Sequence, residues 1–219
     1  MHIHNLSQQN SLLNTFISEI RDVTIQKDRM RFRRNIERIG EILSYEMSKV
    51  LDYNSVDIKT PLGTSKINLV QYDIVLCSIL RAGIPLHNGL LNYFDAAENA
   101  FISAYRHHEG DSDNFKIIVE YLACPNLENK TLILADPMLA TGRSMISAFE
   151  ALKPYGKPKS IHLISTIGAQ EGVDYVSSYF SKDTHLWIAT VDEKLNEKGY
   201  IVPGLGDAGD LSFGEKLQH

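Results

Sequence analysis

Residues 131–144 read TLILADPMLATGRS, and this stretch decides how the rest of the chain is interpreted. Its first part, TLILA, has the length and composition of a buried strand, and the residues after Ser144 have the apolar spacing of a helix. Between the two lie an acid, Asp136, and a turn of small residues, Ala140-Thr141-Gly142. The stretch therefore predicts a strand, a tight loop and a helix, which are consecutive parts of a βαβ unit.

The loop within this stretch has the chemistry of a phosphate and sugar site. A carboxylate at the end of a buried strand, such as that of Asp136, is placed to accept hydrogen bonds from a pair of sugar hydroxyls. Small residues let successive N–H groups point into one concavity at a helix N-terminus, which suits a phosphate dianion, and Thr141 and Ser144 add hydroxyl donors. The sequence is neither a P-loop, because the lysine of GxxxxGK(S/T) is missing, nor a Rossmann GxGxxG. The alternative is an ordinary strand–turn–helix in which Thr141 or Ser144 only caps the helix.

Other short apolar runs of strand length lie on both sides of this stretch, at 74–77, 100–102, 117–119, 161–165 and 186–189. Helical patterns fall between several of them, at 86–93 and 144–153. This alternation predicts an α/β fold with a mostly parallel sheet flanked by helices, in a single domain over residues 1–219. Ligands of such sheets bind beyond the carboxyl ends of the strands. The run 117–119 is also a candidate for a protruding antiparallel flap, between about residues 106 and 121.

The N-terminal segment, residues 11–51, has apolar residues at three-to-four spacing and is predicted to be helical. Its second helix carries a basic run at 27–34, KDRMRFRR, in which five of eight residues are Lys or Arg. We interpret this run as a solvated helix face, with an intersubunit or anion-facing surface as the alternative.

The bulk composition limits the functional classes. A net charge of −5 argues against non-specific nucleic-acid binding as the main activity. No stretch has the apolar length of a membrane helix, and the first ten residues lack the plan of a signal peptide, so we expect a cytoplasmic protein without membrane contact. Cys77 and Cys124 lie in apolar segments without CxxC spacing. We expect buried free thiols in a reducing compartment, with a disulfide or a metal site as the alternative. The adjacent His107 and His108 are interpreted as solvated rather than as a metal pair.

Two arginines follow predicted strands at the edge where ligands are expected. Arg81 comes shortly after the run 74–77 and is followed by Ala82 and Gly83, which keep the loop close to the backbone. Guanidinium binds phosphate oxygens in bidentate fashion, so Arg81 is a candidate pyrophosphate ligand. Arg106 follows the run 100–102 in the same topological position. The alternative for each is an ordinary surface charge.

Four segments in this order resemble type I phosphoribosyltransferases, and uracil phosphoribosyltransferases in particular. They are SILRAGIPLHNGLL at 78–91, AYR ending at Arg106, DPMLATG at 136–142 and DEKLNEKGYIVPGLGDAGD at 192–210. The resemblance also covers FRR at Phe32, YE at Tyr45 and TPL at Thr60, and so extends over nearly the whole chain. Most type I relatives have two adjacent acids where this chain has one acid followed by proline, as the uracil enzymes do.

The resemblance implies a transfer of the phosphoribosyl group from phosphoribosyl pyrophosphate to uracil, giving UMP and pyrophosphate in pyrimidine salvage. It implies a nucleotide-binding, pentosyl-transferring glycosyltransferase that uses Mg²⁺ carried by the substrate, with no protein metal ligands. It implies a homodimer or larger homo-oligomer, with GTP as a possible effector. Catalytic roles fall to Arg81, Arg106 and Asp207. Donor binding falls to these three residues and to Asp136, Pro137, Met138, Leu139, Ala140, Thr141, Gly142, Arg143 and Ser144. Uracil binding falls to Ile201, Gly206, Asp207 and Ala208, largely through main-chain atoms.

Some features depart from the family pattern and leave alternatives open. The family usually has a small residue at Arg143 and an arginine near Leu211. The segment 199–210, with four glycines and one proline, suits recognition of a planar base by irregular backbone, but is otherwise a loop that ends the fold. The rival functions are a phosphoribosyltransferase for another base and a non-catalytic regulator that binds RNA or a nucleotide. The regulator's candidate surface is the basic run 27–34.

Overall fold

The computed structural model describes the backbone of residues 1–108 and 115–217, and the side chains of all of these except 104–108 and 115–119. The predicted α/β architecture is confirmed. The helices are α1 Leu13–Arg21, α2 Arg29–Ser48, α3 Gly83–Leu91, α4 Arg143–Leu152, α5 Gln170–Tyr179 and α6 Ala208–Phe213. The strands are β1 His2–Asn5, β2 Tyr53–Thr60, β3 Gly63–Val70, β4 Ile74–Leu80, β5 Glu98–His108, β6 Phe115–Ala123, β7 Thr131–Ala135, β8 Met138–Leu139, β9 Ser160–Ala169, β10 His185–Asp192, β11 Lys194–Leu195 and β12 Ile201–Val202.

The main sheet has the strand order β1-β10-β9-β7-β4-β5-β6, with β8 also paired to β9. Every pair in it is parallel except β5–β6. Because parallel strands end at the same edge, the loops that follow β4, β7 and β10 open on one side of the molecule. These are the loops that carry the candidate residues.

The core lies on both faces of this sheet. Successive residues of β7 point to opposite faces. Ile133 therefore belongs to the core cluster that includes α1, α2 and α3, whereas Leu132 and Leu134 belong to the cluster that includes α4 and α5. All five residues of β7 are buried. This burial on both faces explains why the strand reads as an almost continuous apolar run. Among the helices of the described part of the chain, none has the length and apolar content needed to cross a bilayer.

The predicted antiparallel flap has its base in β5 and β6, which pair from Phe101↔Ala123 to His108↔Phe115. Its tip, residues 109–114, lies outside the described residues. The placement of Arg106 in a loop after a short strand is wrong, because Arg106 lies within β5 and pairs with Ile117. The apolar run marked the buried part of the strand, but hydrogen bonding to β6 extends the strand beyond it. The side chains of Arg106, His107 and His108 lie outside those described.

A second sheet, the two-stranded antiparallel hairpin of β2 and β3, was not predicted from the sequence. Its register places Val56 opposite Ile67, and Leu69 lies on the same face. These side chains are 38%, 44% and 44% exposed, and Leu62 at the turn is fully exposed. The hairpin was missed because its apolar residues are few and face outward, whereas the strand signal comes mainly from burial in a core. It presents an amphipathic ribbon with an uncovered apolar side.

Both cysteines are free thiols; Cys77 is buried as expected, whereas Cys124 is only partly buried. Burial raises the pKa of the Cys77 thiol well above its usual value and raises that of the half-buried Cys124 to about 11. Both thiols are therefore neutral at physiological pH and pack as small apolar groups.

Candidate active site

The loop after β7 folds as the sequence predicted, with a strand, a tight turn and a helix in succession. Asp136 follows the strand directly, and the N–H of Met138 donates to its Oδ1 at 3.3 Å. The N–H of Asp136 donates to the carbonyl of Ile164 at 3.0 Å, and the hydroxyl of Ser165 donates to the carbonyl of Asp136. The acid is thus fixed to the neighbouring strand β9 through its backbone.

Gly142 precedes α4 and adopts the left-handed conformation, with φ +76°. A Cβ at this position would lie 2.9 Å from Cγ1 of Val176 and 3.1 Å from the carbonyl oxygen of Gly172. Glycine is therefore required twice, for the turn and for the close approach of the loop to α5. The N–H of Arg143 is 3.4 Å from Oγ1 of Thr141, which is a weak capping contact. The partly exposed start of α4 presents N–H groups and the positive end of a helix dipole, which suits an anion.

Arg81 follows β4 and reaches across to the C-terminal segment. Its Nη2 donates to Oδ1 of Asp210 at 3.2 Å and to the carbonyl of Gly214 at 3.1 Å. The Arg81 side chain is 44% exposed, so a ligand can still reach it despite these two contacts. The peptide bond between Leu80 and Arg81 is cis. Two segments that are far apart in sequence thus meet at one arginine.

The C-terminal segment forms an irregular turn that leads into α6. Ile201 and Ala208 are 5% and 3% exposed, and Gly206 has φ +98°. Asp207 caps α6 by accepting the N–H of Asp210 at 3.0 Å, and Nζ of Lys216 lies 3.1 Å from its other oxygen. Burial by itself raises the pKa of Asp207, but the hydrogen bond from Asp210 and the charge of Lys216 outweigh this and hold its pKa below the usual range. Asp207 is therefore ionised at neutral pH.

Comparison with known proteins identifies the family of this chain. The family model described as uracil phosphoribosyltransferase matches residues 7–215. The chain belongs to the uracil phosphoribosyltransferase family. Curated relatives of the same name include that of Porphyromonas gingivalis, 52% identical over 99% of this chain and 100% of the relative. Another is that of Methanothermobacter thermautotrophicus, 41% identical over 85% of each chain. The solved structure of the AQ2163 protein from Aquifex aeolicus aligns with a TM-score of 0.86 at 28% identity, over 99% of this chain and 100% of that one.

Two residues that hold the C-terminal loop of this chain were missed from the sequence. Nη2 and Nη1 of Arg21 donate to the two carboxylate oxygens of Asp192 at 2.7 and 2.9 Å. Asp192 also accepts the N–H of Gly204 at 2.9 Å, and Arg21 donates to the carbonyl of Gly204 at 3.1 Å. Asp192 is the last residue of β10, and Asp136 directly follows β7. An acid at the end of a strand was therefore a signal by which Asp192 could have been found from the sequence. No local signal marks Arg21, because the contact joins residues 171 positions apart.

The basic run 27–34 is only partly the solvated face that we expected. Arg31 pairs with Glu19 at 2.6 Å and Arg34 pairs with Glu37 at 2.7 Å, and both arginines are about half exposed. Arg33 instead donates to the carbonyl of Ser212 in α6 at 2.6 Å. Two of the five positive charges in the run are therefore paired with carboxylates, which weakens its case as a surface for RNA.

The structure thus brings several of the predicted residues to one edge of the sheet. A Cβ at Gly83, next to the Arg81 loop, would lie 3.7 Å from the carbonyl oxygen of Ala135, which directly precedes Asp136. Arg81 in turn contacts Asp210, three residues after Asp207. Arg143, at the start of α4, is exposed. The roles of these residues toward the donor and uracil stay predictions, as does that of Arg106.

Proposed function

We propose that this chain transfers the phosphoribosyl group of phosphoribosyl pyrophosphate to N1 of uracil, releasing pyrophosphate and forming UMP. The observation that carries the proposal is the convergence of three loops at one edge of the sheet in a chain of this family. One loop offers a carboxylate and a helix N-terminus, the second an open guanidinium, and the third an irregular backbone suited to a planar base. These match the sugar phosphate, the pyrophosphate and the base of the two substrates.

The donor would be held by the loops after β4 and β7. Asp136 would accept hydrogen bonds from the ribose hydroxyls, and the N–H groups at the start of α4 would bind the 5′-phosphate. In an oxocarbenium-like transition state, negative charge grows on the departing pyrophosphate. Arg81, with Arg106 on β5, would stabilise that charge. Mg²⁺ would enter as part of the substrate, because diphosphate oxygens are the hard ligands that this ion prefers.

Uracil would bind against Ile201 and the turn at Gly206, Asp207 and Ala208. A backbone of fixed geometry can distinguish carbonyl from amino groups on the base, because a mismatch leaves a buried polar group unpaired. The contacts from Arg21 and Asp192 to Gly204 support this role, since they fix the turn in place.

The test is a turnover assay with Mg²⁺, phosphoribosyl pyrophosphate and each nucleobase in turn, with the nucleotide product measured. We expect UMP from uracil, and at least about tenfold lower kcat/KM with cytosine, since an unpaired polar group costs roughly 1–3 kcal/mol. Equal use of cytosine and uracil would contradict the proposed role of the C-terminal loop. A product from a purine alone would support the rival phosphoribosyltransferase, and no product with any base would support the regulator.

We also propose that the chain forms a homodimer or larger homo-oligomer through the hairpin of β2 and β3. An isolated two-stranded hairpin is marginally stable in water, and its uncovered apolar side is typical of an interface. Light scattering should give more than one chain per particle for the wild type and a lower mass for Ile67→Glu. Asn68→Glu, on the polar side of the same strand, is the control and should keep the wild-type mass. A monomeric wild type would contradict this proposal.

A cytoplasmic location is part of the proposal, because two free thiols are typical of a reducing compartment. GTP activation stays a prediction from the family resemblance, and it is measured by adding GTP to the same turnover assay.

A further inference from the structure

A buried chain of hydrogen bonds joins the strand before the Arg81 loop to the helix after it. Oγ of Ser78, on β4, is 2.8 Å from Nδ1 of His87, on α3. Nε2 of the same imidazole is 2.8 Å from Oδ1 of Asn99, on β5. Ser78 and His87 are 0% and 2% exposed, and neither belongs to the residues assigned so far to the substrates. The three side chains join two neighbouring strands and a helix.

The hydrogen-bond partners fix the protonation of His87. Nδ2 of Asn99 donates to the carbonyl of Ala97 at 3.1 Å, so its Oδ1 faces the imidazole and accepts a proton from Nε2. Nδ1 of His87 is then unprotonated and accepts the hydroxyl proton of Ser78. Burial lowers the pKa of His87, and the hydrogen bond to Asn99 offsets this only in part. His87 is thus neutral, in the Nε2–H form, with both ring nitrogens used.

The position of this chain ties it to Arg81. Ser78 lies three residues before Arg81 and His87 lies six residues after it, so their bond joins the strand and the helix on the two sides of the loop. A Cβ at Gly83 would lie 3.3 Å from Cβ of Ser78, which shows how closely the loop folds back on its strand. The ring of Phe101 packs against the imidazole, with centroids 4.6 Å apart. The two ends of the loop are therefore held by one side-chain hydrogen bond.

We propose that Ser78, His87 and Asn99 form an uncharged clamp that positions Arg81 for the pyrophosphate group of the donor. The inference rests on the proposed role of Arg81. His87 is 2% exposed and would act only through the loop, so it is a positioning residue. Without the Ser78 hydroxyl, Nδ1 of His87 loses its donor, and the strand and helix lose the bond that fixes the arginine between them.

Steady-state kinetics of Ser78→Ala test the clamp. We expect kcat/KM for phosphoribosyl pyrophosphate to fall by about tenfold, in the range expected when a buried hydrogen-bond partner is removed. The KM for uracil should change less than that for the donor. Arg81 also contacts Asp210 in the C-terminal segment, but the turn at Gly204 is held independently by Arg21 and Asp192. Ser160→Ala is the matched control. Its hydroxyl also joins two elements, pairing with Thr131 at 2.9 Å, but at the opposite edge of the sheet, and its donor kinetics should equal those of the wild type.

A double-mutant cycle separates positioning from a general loss of stability. If Ser78 acts through Arg81, then adding Ser78→Ala to Arg81→Ala should lower kcat/KM for the donor by no more than about a further twofold. A full additional tenfold loss would overturn the clamp. Normal donor kinetics for Arg81→Ala alone would overturn the role of Arg81 and the clamp with it. Impaired Arg81→Ala with normal Ser78→Ala would overturn the clamp only.

Nitrogen NMR of the wild-type protein with labelled histidine gives a test that needs no variant. At neutral pH the His87 ring should show a protonated Nε2 and an unprotonated, hydrogen-bonded Nδ1. A His87 ring protonated on Nδ1 would overturn the clamp, because Nδ1 could then not accept the Ser78 hydroxyl proton.

Discussion

The ion pair between Arg21 and Asp192 gives a prediction that separates binding of uracil from binding of the donor. Asp192→Asn keeps the shape of the side chain but removes its charge and replaces one acceptor with an amide donor. Asp192 accepts two bonds from Arg21 and one from the N–H of Gly204, so the new amide must face a donor in one of these directions.

The size of the effect follows from burial. Asp192 is 8% exposed and Arg21 is 22% exposed, so solvent screens the pair only partly. Hydrogen bonds to charged groups contribute roughly 1.5–3 kcal/mol each, and we expect the free energy of unfolding to fall by about 2–3 kcal/mol. If about half of this loss acts on the turn at Gly204, the KM for uracil should rise about tenfold, because 1.4 kcal/mol corresponds to a factor of ten.

The assay is urea unfolding together with initial rates at varied uracil and varied donor. We expect the donor KM to change less than about threefold, since Asp136 and Arg81 are held by separate bonds. Glu150→Gln is the control, because it breaks an ion pair with Lys153 whose partners are about half exposed, and it should cost less than about 1 kcal/mol. A destabilised Asp192→Asn protein with an unchanged uracil KM would refute the reasoning, since the pair would then hold the fold but not the base.

Three further predictions follow from the same structure. Asp136→Asn should raise the donor KM at least about tenfold while shifting the Tm by no more than about 3 °C, as kinetics and thermal unfolding will show; a large stability loss with unaltered kinetics would make Asp136 a structural cap. Arg81→Ala or Arg106→Ala should lower kcat on the order of a hundredfold, and lysine at either position should restore it only in part. The control Arg34→Ala, in α2, should keep kcat within a few-fold of wild type. The reverse outcome would refute the pyrophosphate assignment. Burial lowers the pKa of His162 from 6.5 to about 4. As the pH falls, His162 is therefore protonated in the unfolded chain before it is protonated in the folded protein, which favours unfolding. The free energy of unfolding should be fully present above pH 6.5 and decline towards pH 4. His162→Asn should flatten this decline in urea titrations, and an unchanged slope would contradict it.

Much of the donor side of the site could be predicted from the sequence because its signals are local. The strand, the acid, the small residues and the helix start of the loop after β7 all lie within residues 131–144. Arg81 was found for the same reason, since it follows a strand and precedes Ala82 and Gly83. Where interactions within one short segment determine the structure, the pattern and the fold agree.

The parts that could not be predicted depend on distant contacts or on weak apolar signals. Arg33 looked like a surface charge, and its bond to Ser212 spans 179 positions. The hairpin of β2 and β3 has no core to mark it, and β5 extends beyond its apolar run because of pairing with β6. Ser78 and His87 lay within a recognised segment, but only their packed positions reveal the bond between them.

The contact between Arg21 and Asp192 also has a consequence for the order in which the protein matures on the ribosome. At a synthesis rate of about 5–20 residues per second, the 171 positions between them take on the order of 10–30 s to make. During that time the central strands β4, β5 and β7 can already pack against their helices. Arg21 cannot yet form its ion pair, because Asp192 has not been synthesised. The turn at Gly204 is translated later still, so the pocket for the base is completed only when nearly the whole chain has emerged. A nascent or C-terminally truncated chain would therefore carry much of the framework for the donor without a place for the acceptor.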